Sequence, residues 1–290
     1  MKPHQRYDAE IVAQTCLPVT NLCLSTGDLE MTIPKEIAEL ISNSGNNFHA
    51  KVSRWFTEHG WHVVISPYYM DQSQSKAREI DLVAEKLWPV NDLHGYTKDE
   101  IAIRLFIECK FVATDAVFWF AEKDNDSALE LVCANGLLRP DNFYTKKHHY
   151  LSQSPRVAKL FSSGNTKAAE NEPFYKALNQ ALNAMVSMRG QPVSIPQTRK
   201  TQRFPMAVLE YPVVVCSSFD RIYSVDFNAD SDPEAIEENF QLEVRYAYID
   251  RNESQRNDYF LLDFVSFDKL VEFEMALDAG ARAAAFLASD

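Results

Sequence analysis

Arg78-Glu79-Ile80-Asp81-Leu82-Val83-Ala84 and Ile103-Arg104-Leu105-Phe106-Ile107-Glu108-Cys109-Lys110 are the two stretches that decide the fold of this 290-residue chain. Both read as strands, and side chains alternate across a strand. In the second stretch Ile103, Leu105, Ile107, Cys109 and Phe111 share one apolar face, while Arg104, Phe106, Glu108 and Lys110 share the other. A carboxylate and an ammonium two residues apart thus sit on one face of a strand that is otherwise hydrophobic. Burying either charge alone is expensive, so the pair is expected to be mutually satisfied or to hold something. In the first stretch Glu79, Asp81 and Val83 point one way and Ile80, Leu82 and Ala84 the other. If the two strands are neighbours, Asp81, Glu108 and Lys110 converge on one point.

Working outward, residues 46–60 carry Phe48, Val52, Trp55, Phe56 and His59 at helical spacing, with Asn46 or Asn47 as cap and Gly60 as stop. A strand follows over 61–66. Helix, strand, Asp-bearing strand and Glu-x-Lys strand, in that order, resemble the PD-(D/E)xK nuclease superfamily, the restriction-endonuclease-like fold. The resemblance covers residues 46–217 and implies a second helix and a further strand after Lys110. It implies Asp81, Glu108 and Lys110 as catalytic residues, Mg²⁺ or Mn²⁺ as cofactor and DNA as substrate. A second copy of the chain or a companion defence subunit is an implied partner. Where many relatives place a Glu on the first helix, this chain has His49.

The chemistry can be stated in its own right. A Mg²⁺-type cation prefers oxygen ligands. Asp81 and Glu108 offer two carboxylates, and the main-chain carbonyl of Cys109 is a third candidate. The bound ion would polarise a phosphodiester and lower the pKa of a water, with Lys110 placing that water or stabilising charge on the phosphate. His49, Glu79 and Gln180 are accessory candidates. The competing reading is a buried salt bridge within a core strand.

Composition limits the other possibilities. Hydrophobic residues make up 46% and charged residues 24%, ordinary for a globular protein. Cys16, Cys23, Cys109, Cys133 and Cys216 are scattered, with no C-x-x-C pair, so neither a disulfide framework nor structural zinc is expected. A cytoplasmic setting is the expectation, since no signal-peptide pattern and no membrane-length apolar run occurs. The net charge of −12 argues against a general nucleic-acid binder. Yet residues 139–203 hold 11 Lys and Arg against 3 Asp and Glu. Lys146, Lys147, Arg156, Arg199, Lys200 and Arg203 are therefore candidates for holding a phosphate backbone. His148, His149 and Tyr150 beside the lysines suit the same surface.

The rest of the chain reads as supporting structure. Residues 1–45 form an N-terminal arm with a helix over 34–41. Residues 67–76 form a polar loop, 87–100 a turn-rich insertion and 139–159 an irregular basic segment. A helix over 173–188 buries Phe174, Leu178, Leu182, Met185 and Val186. Strands are expected over 206–216, 221–227, 241–249 and 259–264, and a closing helix over 267–287 is weakened by Gly280. The fold class is α/β: a mixed central sheet flanked by helices, a restriction-endonuclease-like core over 46–217, and a β-rich extension over 218–290 packed on it. Two functions compete. One is metal-dependent phosphodiester hydrolysis of DNA, in defence or DNA processing. The other is a nuclease-like module that does not cut and serves in nucleic-acid or protein binding.

Overall fold

The computed structural model describes residues 34–43, 45–91, 94–134, 136–164, 173–190, 205–250 and 252–289. Its elements run α1 (Lys35–Asn43), α2 (Gly45–Glu58), β1 (His62–Ile65), β2 (Tyr68–Asp71), β3 (Lys76–Glu79), β4 (Leu82–Asn91), β5 (Thr97–Lys110), β6 (Ala116–Glu122), α3 (Asn125–Cys133), α4 (His149–Ser152), β7 (Arg156–Ser163), α5 (Pro173–Met188), β8 (Ala207–Cys216), β9 (Ile222–Asp226), β10 (Glu234–Ala235), β11 (Phe240–Ile249), β12 (Gln255–Ser266) and α6 (Leu270–Ser289). Ten strands make one mixed sheet in the order β1-β4-β5-β8-β12-β11-β7-β6-β9-β10, and β2 with β3 makes a separate hairpin. β5, β8 and β12 run parallel, while β1, β4 and β5 alternate.

The alternation expected of β5 governs the layering. Ile101, Ile103, Leu105 and Ile107 face a core shared with α2, α3 and α6, where Phe48, Val52, Phe56, Phe273 and Leu277 pack. Phe106 faces the opposite core, closed by Phe174, Leu178, Leu182 and Met185 of α5. Both faces are covered, which is why residues 101–108 are buried without interruption. Arg104 lies on the α5 side, 3% exposed. Its register partners on the two flanking strands are Glu85 and Glu210, and it bonds both, at 2.9 Å to Glu210 Oε1. A guanidinium between two carboxylates is the arrangement that makes burial of the charge tolerable.

Several expectations are revised. The polar stretch 67–76 is the β2–β3 hairpin, whose Tyr69 and Asp71 are buried while Tyr68 and Met70 are exposed. The turn-rich insertion is mostly ladder: β4 continues to Asn91 and β5 begins at Thr97, with Pro89 opposite Glu100. Of the strands beyond residue 218, β11 and β12 lie inside the sheet, because β12 pairs with β8 and β11 with β7, while β9 and β10 form its edge beyond β6. α6 runs unbroken through Gly280, which is buried against the His148 ring. Among the described residues no helix is long and apolar enough to cross a membrane.

Candidate active site

Asp81 occupies the joint at which the chain leaves the hairpin and enters the main sheet. Ile80 is fully buried and anchors that joint. Its amide donates to the Pro67 carbonyl, and the Ser66 amide donates to the Asp81 carbonyl at 2.8 Å. Leu82 pairs with Ile107, so Asp81 falls beside Glu108 at the C-terminal end of β5. Opposed residues of an antiparallel pair share a face. Each carboxylate reaches the other strand's backbone: Asp81 Oδ2 accepts from the Cys109 amide at 2.7 Å, and Glu108 Oε1 accepts from the Asp81 amide at 3.4 Å. Lys110 Nζ stands 3.4 Å from Glu108 Oε2. The three residues singled out in the sequence are therefore brought together, on the side of the sheet that α5 covers.

Electrostatics distinguish this group from an ordinary ion pair. Glu108 is 1% exposed. Burial, followed by the negative charge of Asp81, pushes its carboxyl up to about 8, and the Lys110 ammonium offsets only part of that. Once Glu108 ionises, two carboxylates and one ammonium leave the cluster short of one positive charge. Cys109 contributes its amide here, whereas its side chain packs in the opposite core, where burial and the two carboxylates push the thiol up. Cys216 lies beside Lys110 in register and is fully buried. Among the described residues no group of three or more His, Cys, Asp or Glu side chains stands together as a metal site.

The accessory candidates fall in different places. Gln180 Nε2 donates to the main-chain carbonyl of Glu79 at 3.2 Å, so it braces the backbone two residues before Asp81. The Glu79 carboxylate is engaged by the Tyr68 hydroxyl. His49 lies on α2 in the opposite layer, partly buried, with Nε2 out of solvent and without a hydrogen-bond partner. The basic residues do not gather over Glu108. Lys146 and Lys147 are exposed on the turn before α4, against α6, with Lys147 over the rings of Phe143 and Tyr144. Arg156 is on β7, four strands from β5 and so roughly 19 Å away along the sheet, paired with Asp226 at 2.7 Å. Arg199, Lys200 and Arg203 lie outside the described residues.

His148, His149 and Tyr150 are core residues and not a nucleic-acid surface, each at most 3% exposed. His148 Nδ1 accepts the Tyr150 amide and caps α4, while Nε2 meets the Tyr211 hydroxyl at 2.9 Å. Burial, with His149 adjacent, holds the His148 pKa well below its ordinary value. His149 Nε2 is 3.1 Å from Asp263 Oδ2. Asp263 is therefore a buried partner within β12 and not a strand-end acid.

Sequence reading also passed over the brace between the hairpin and α5. Asp71, 2% exposed, takes Arg78 Nε at 2.8 Å and is approached by Asn183 Nδ2 at 3.5 Å. The Tyr69 hydroxyl donates to the Gln180 main-chain carbonyl at 3.4 Å. Tyr68-Tyr69-Met70-Asp71 alternates in burial as a half-covered strand does, but its residue types do not alternate, so the sequence carries no strand signal there.

The chain matches no family model, no curated protein and no solved structure.

Proposed function

We propose that this chain hydrolyses DNA phosphodiesters at a PD-(D/E)xK-type site, with Asp81 and Glu108 holding a Mg²⁺ or Mn²⁺ ion and Lys110 assisting. The observation that carries the reading is the reciprocal bonding of Asp81 and Glu108 across neighbouring strands with one ammonium at their side. A structural ion pair needs one carboxylate, whereas a cation site needs a surplus. The Glu108 carboxyl is raised by its burial first and by the charge of Asp81 second. The element order α2, β1, β4, β5, α5, β8 supports a restriction-endonuclease-like core, with β6, α3, α4 and β7 inserted before α5.

The donor set fits a hard divalent cation: two carboxylate oxygens, with the Cys109 carbonyl as a further candidate. Such an ion, when bound, would polarise the phosphodiester and acidify a water. The residues of the chain itself do the rest. The Cys109 amide fixes one Asp81 oxygen, leaving its other oxygen to bind. Glu108 gives up its proton as the cation's charge replaces it. Lys110, 22% exposed in its side chain, offers its ammonium to charge developing on the phosphate oxygens. Gln180 holds the Glu79 carbonyl and so the approach to Asp81.

A second reading has one observation in its favour. His49 stands where the resembled family carries an acid, and its Nε2 is buried without a partner, which suits a module that binds without cutting. Calorimetric titration with Mn²⁺ tests the proposed site. Wild type should take up one ion, and Asp81→Ala should take up none. Equal uptake by both would remove the site from Asp81 and Glu108.

A further inference from the structure

A cavity of about 570 Å³ lies between the β2–β3 hairpin and the C-terminal turn of α5, lined by Tyr68, Tyr69, Met70, Gln72, Ala77, Ser187 and Met188. Its size is that of a small-molecule pocket. Among the described residues no charged side chain lines it, which favours a neutral occupant over a phosphate or a metal ion. The exposed phenol ring of Tyr68 offers a flat stacking surface. The exposed thioether of Met70 is polarizable and adapts to a flat ring. An amide and a hydroxyl can meet polar ring edges. Those features together suit a planar, neutral ring with donor and acceptor edges.

The position of the cavity narrows the choice. β3 ends at Glu79, two residues before Asp81, so one wall of the cavity is built on the segment that delivers the candidate catalytic acid. Tyr69 links the two: the buried residue borders the cavity and its hydroxyl reaches the Gln180 carbonyl at 3.4 Å, while the Gln180 side chain braces Glu79. Tyr68 and Met70 are 70% and 51% exposed, so their apolar surface is available to a ligand. The described basic candidates, by contrast, lie on the other layer or four strands away. Stacking on bases is a means of holding a strand that does not depend on those residues.

We propose that this cavity receives an unpaired nucleobase of the substrate, so that the chain acts on single-stranded or locally unpaired nucleic acid. The proposal rests on the phosphodiesterase reading above and adds the substrate class to it. A base buried in a duplex cannot enter. A strand whose bases are free can lodge one against Tyr68 and Met70 and bring its backbone past Asp81 and Glu108.

The test is fluorescence-anisotropy binding of labelled short oligonucleotides to the full chain in EDTA, which prevents cleavage. The probes are single-stranded DNA, single-stranded RNA, duplex DNA and a single strand of abasic residues. Single strands with bases should bind more tightly than the abasic strand and the duplex, and the DNA and RNA arms show which backbone is accepted. Tyr68→Ala/Met70→Ala should lose between about 5- and 150-fold for one stacked base and should bind normal and abasic strands alike. Ala77→Trp, which fills the cavity from an exposed position, should do the same and checks that the loss is not misfolding. Equal affinity for normal and abasic strands, unchanged binding by both variants, or no single-strand binding by wild type would each overturn the proposal. Cleavage by wild type without base-dependent binding would leave the phosphodiesterase standing and remove the pocket. Base-dependent binding with no cleavage in Mg²⁺ or Mn²⁺ would do the reverse.

Discussion

Replacing Glu108 by Gln should stabilise this protein, and by an amount that grows with pH. In the folded chain the Glu108 carboxyl is pushed from its ordinary 4.5 to about 8, first by burial and then by Asp81. Between those two values the unfolded chain carries the group ionised while the native chain keeps its proton. The native state binds more protons there, so stability falls as pH rises, by about 1.4 kcal/mol per pH unit. The loss begins near pH 4.5, is complete above pH 8, and totals on the order of 3–5 kcal/mol over that window. Gln cannot ionise, yet keeps an oxygen for the Asp81 amide, so the variant escapes this loss. Urea unfolding at pH 5 and pH 9 reads the difference through the midpoint at constant m. Wild type and Glu108→Gln should lie close together at pH 5, with the variant ahead by several kcal/mol at pH 9, a difference on the scale given above. Adding Mg²⁺ should stabilise wild type at pH 9 and leave the variant unmoved. A variant less stable than wild type at pH 9 would mean that Glu108 and Lys110 form a supporting ion pair, and the reasoning would fail.

Other outcomes follow from the same geometry. Arg104→Met should lower stability by about 3–5 kcal/mol in urea unfolding, because Glu85 is left buried without its guanidinium and Glu210 keeps, among the described residues, only Arg189 at 3.4 Å. His49→Glu should leave the Mn²⁺ isotherm unchanged in calorimetry, because α2 packs in the layer opposite Glu108. A tightened isotherm would bring His49 within the ion's reach. Lys146→Glu/Lys147→Glu should leave the cleavage rate of a short strand near wild type, since both lysines project from the layer opposite Glu108. A large loss would show that the substrate wraps around to that layer.

The candidate site was legible because alternation in a strand is a strict rule. Once residues 103–110 read as a strand with two buried faces, the side shared by Arg104, Phe106, Glu108 and Lys110 followed, and the structure keeps that order. α5 was legible to its ends, Pro173 and Met188, because its apolar stripe is uninterrupted. The hairpin is not legible in the sequence because its turn is polar, its outward Tyr68 and Met70 are large and exposed while its inward Asp71 is charged, and the burial of Asp71 depends on α5, more than a hundred residues away. His148 and His149 were misplaced for a related reason. Next to two lysines they read as surface, but Tyr211 and Asp263, brought in by β8 and β12, supply the partners that let them be buried. The place of β11 and β12 in the middle of the sheet is likewise set by long-range pairing, which no local pattern encodes.

The account turns on whether Asp81, Glu108 and Lys110 perform chemistry together. The most direct measurement is the rate at which the purified full chain cuts labelled DNA, single-stranded and duplex, in Mg²⁺ and in Mn²⁺, beside Lys110→Ala under the same conditions. Lys110 is partly exposed, with Glu108 its only salt-bridge partner among the described residues, so its removal should leave the fold intact while removing charge stabilisation at the phosphate. Metal-dependent cleavage by wild type that falls at least about a hundredfold in Lys110→Ala is the predicted result. Cleavage that survives Lys110→Ala at full rate would contradict the mechanism.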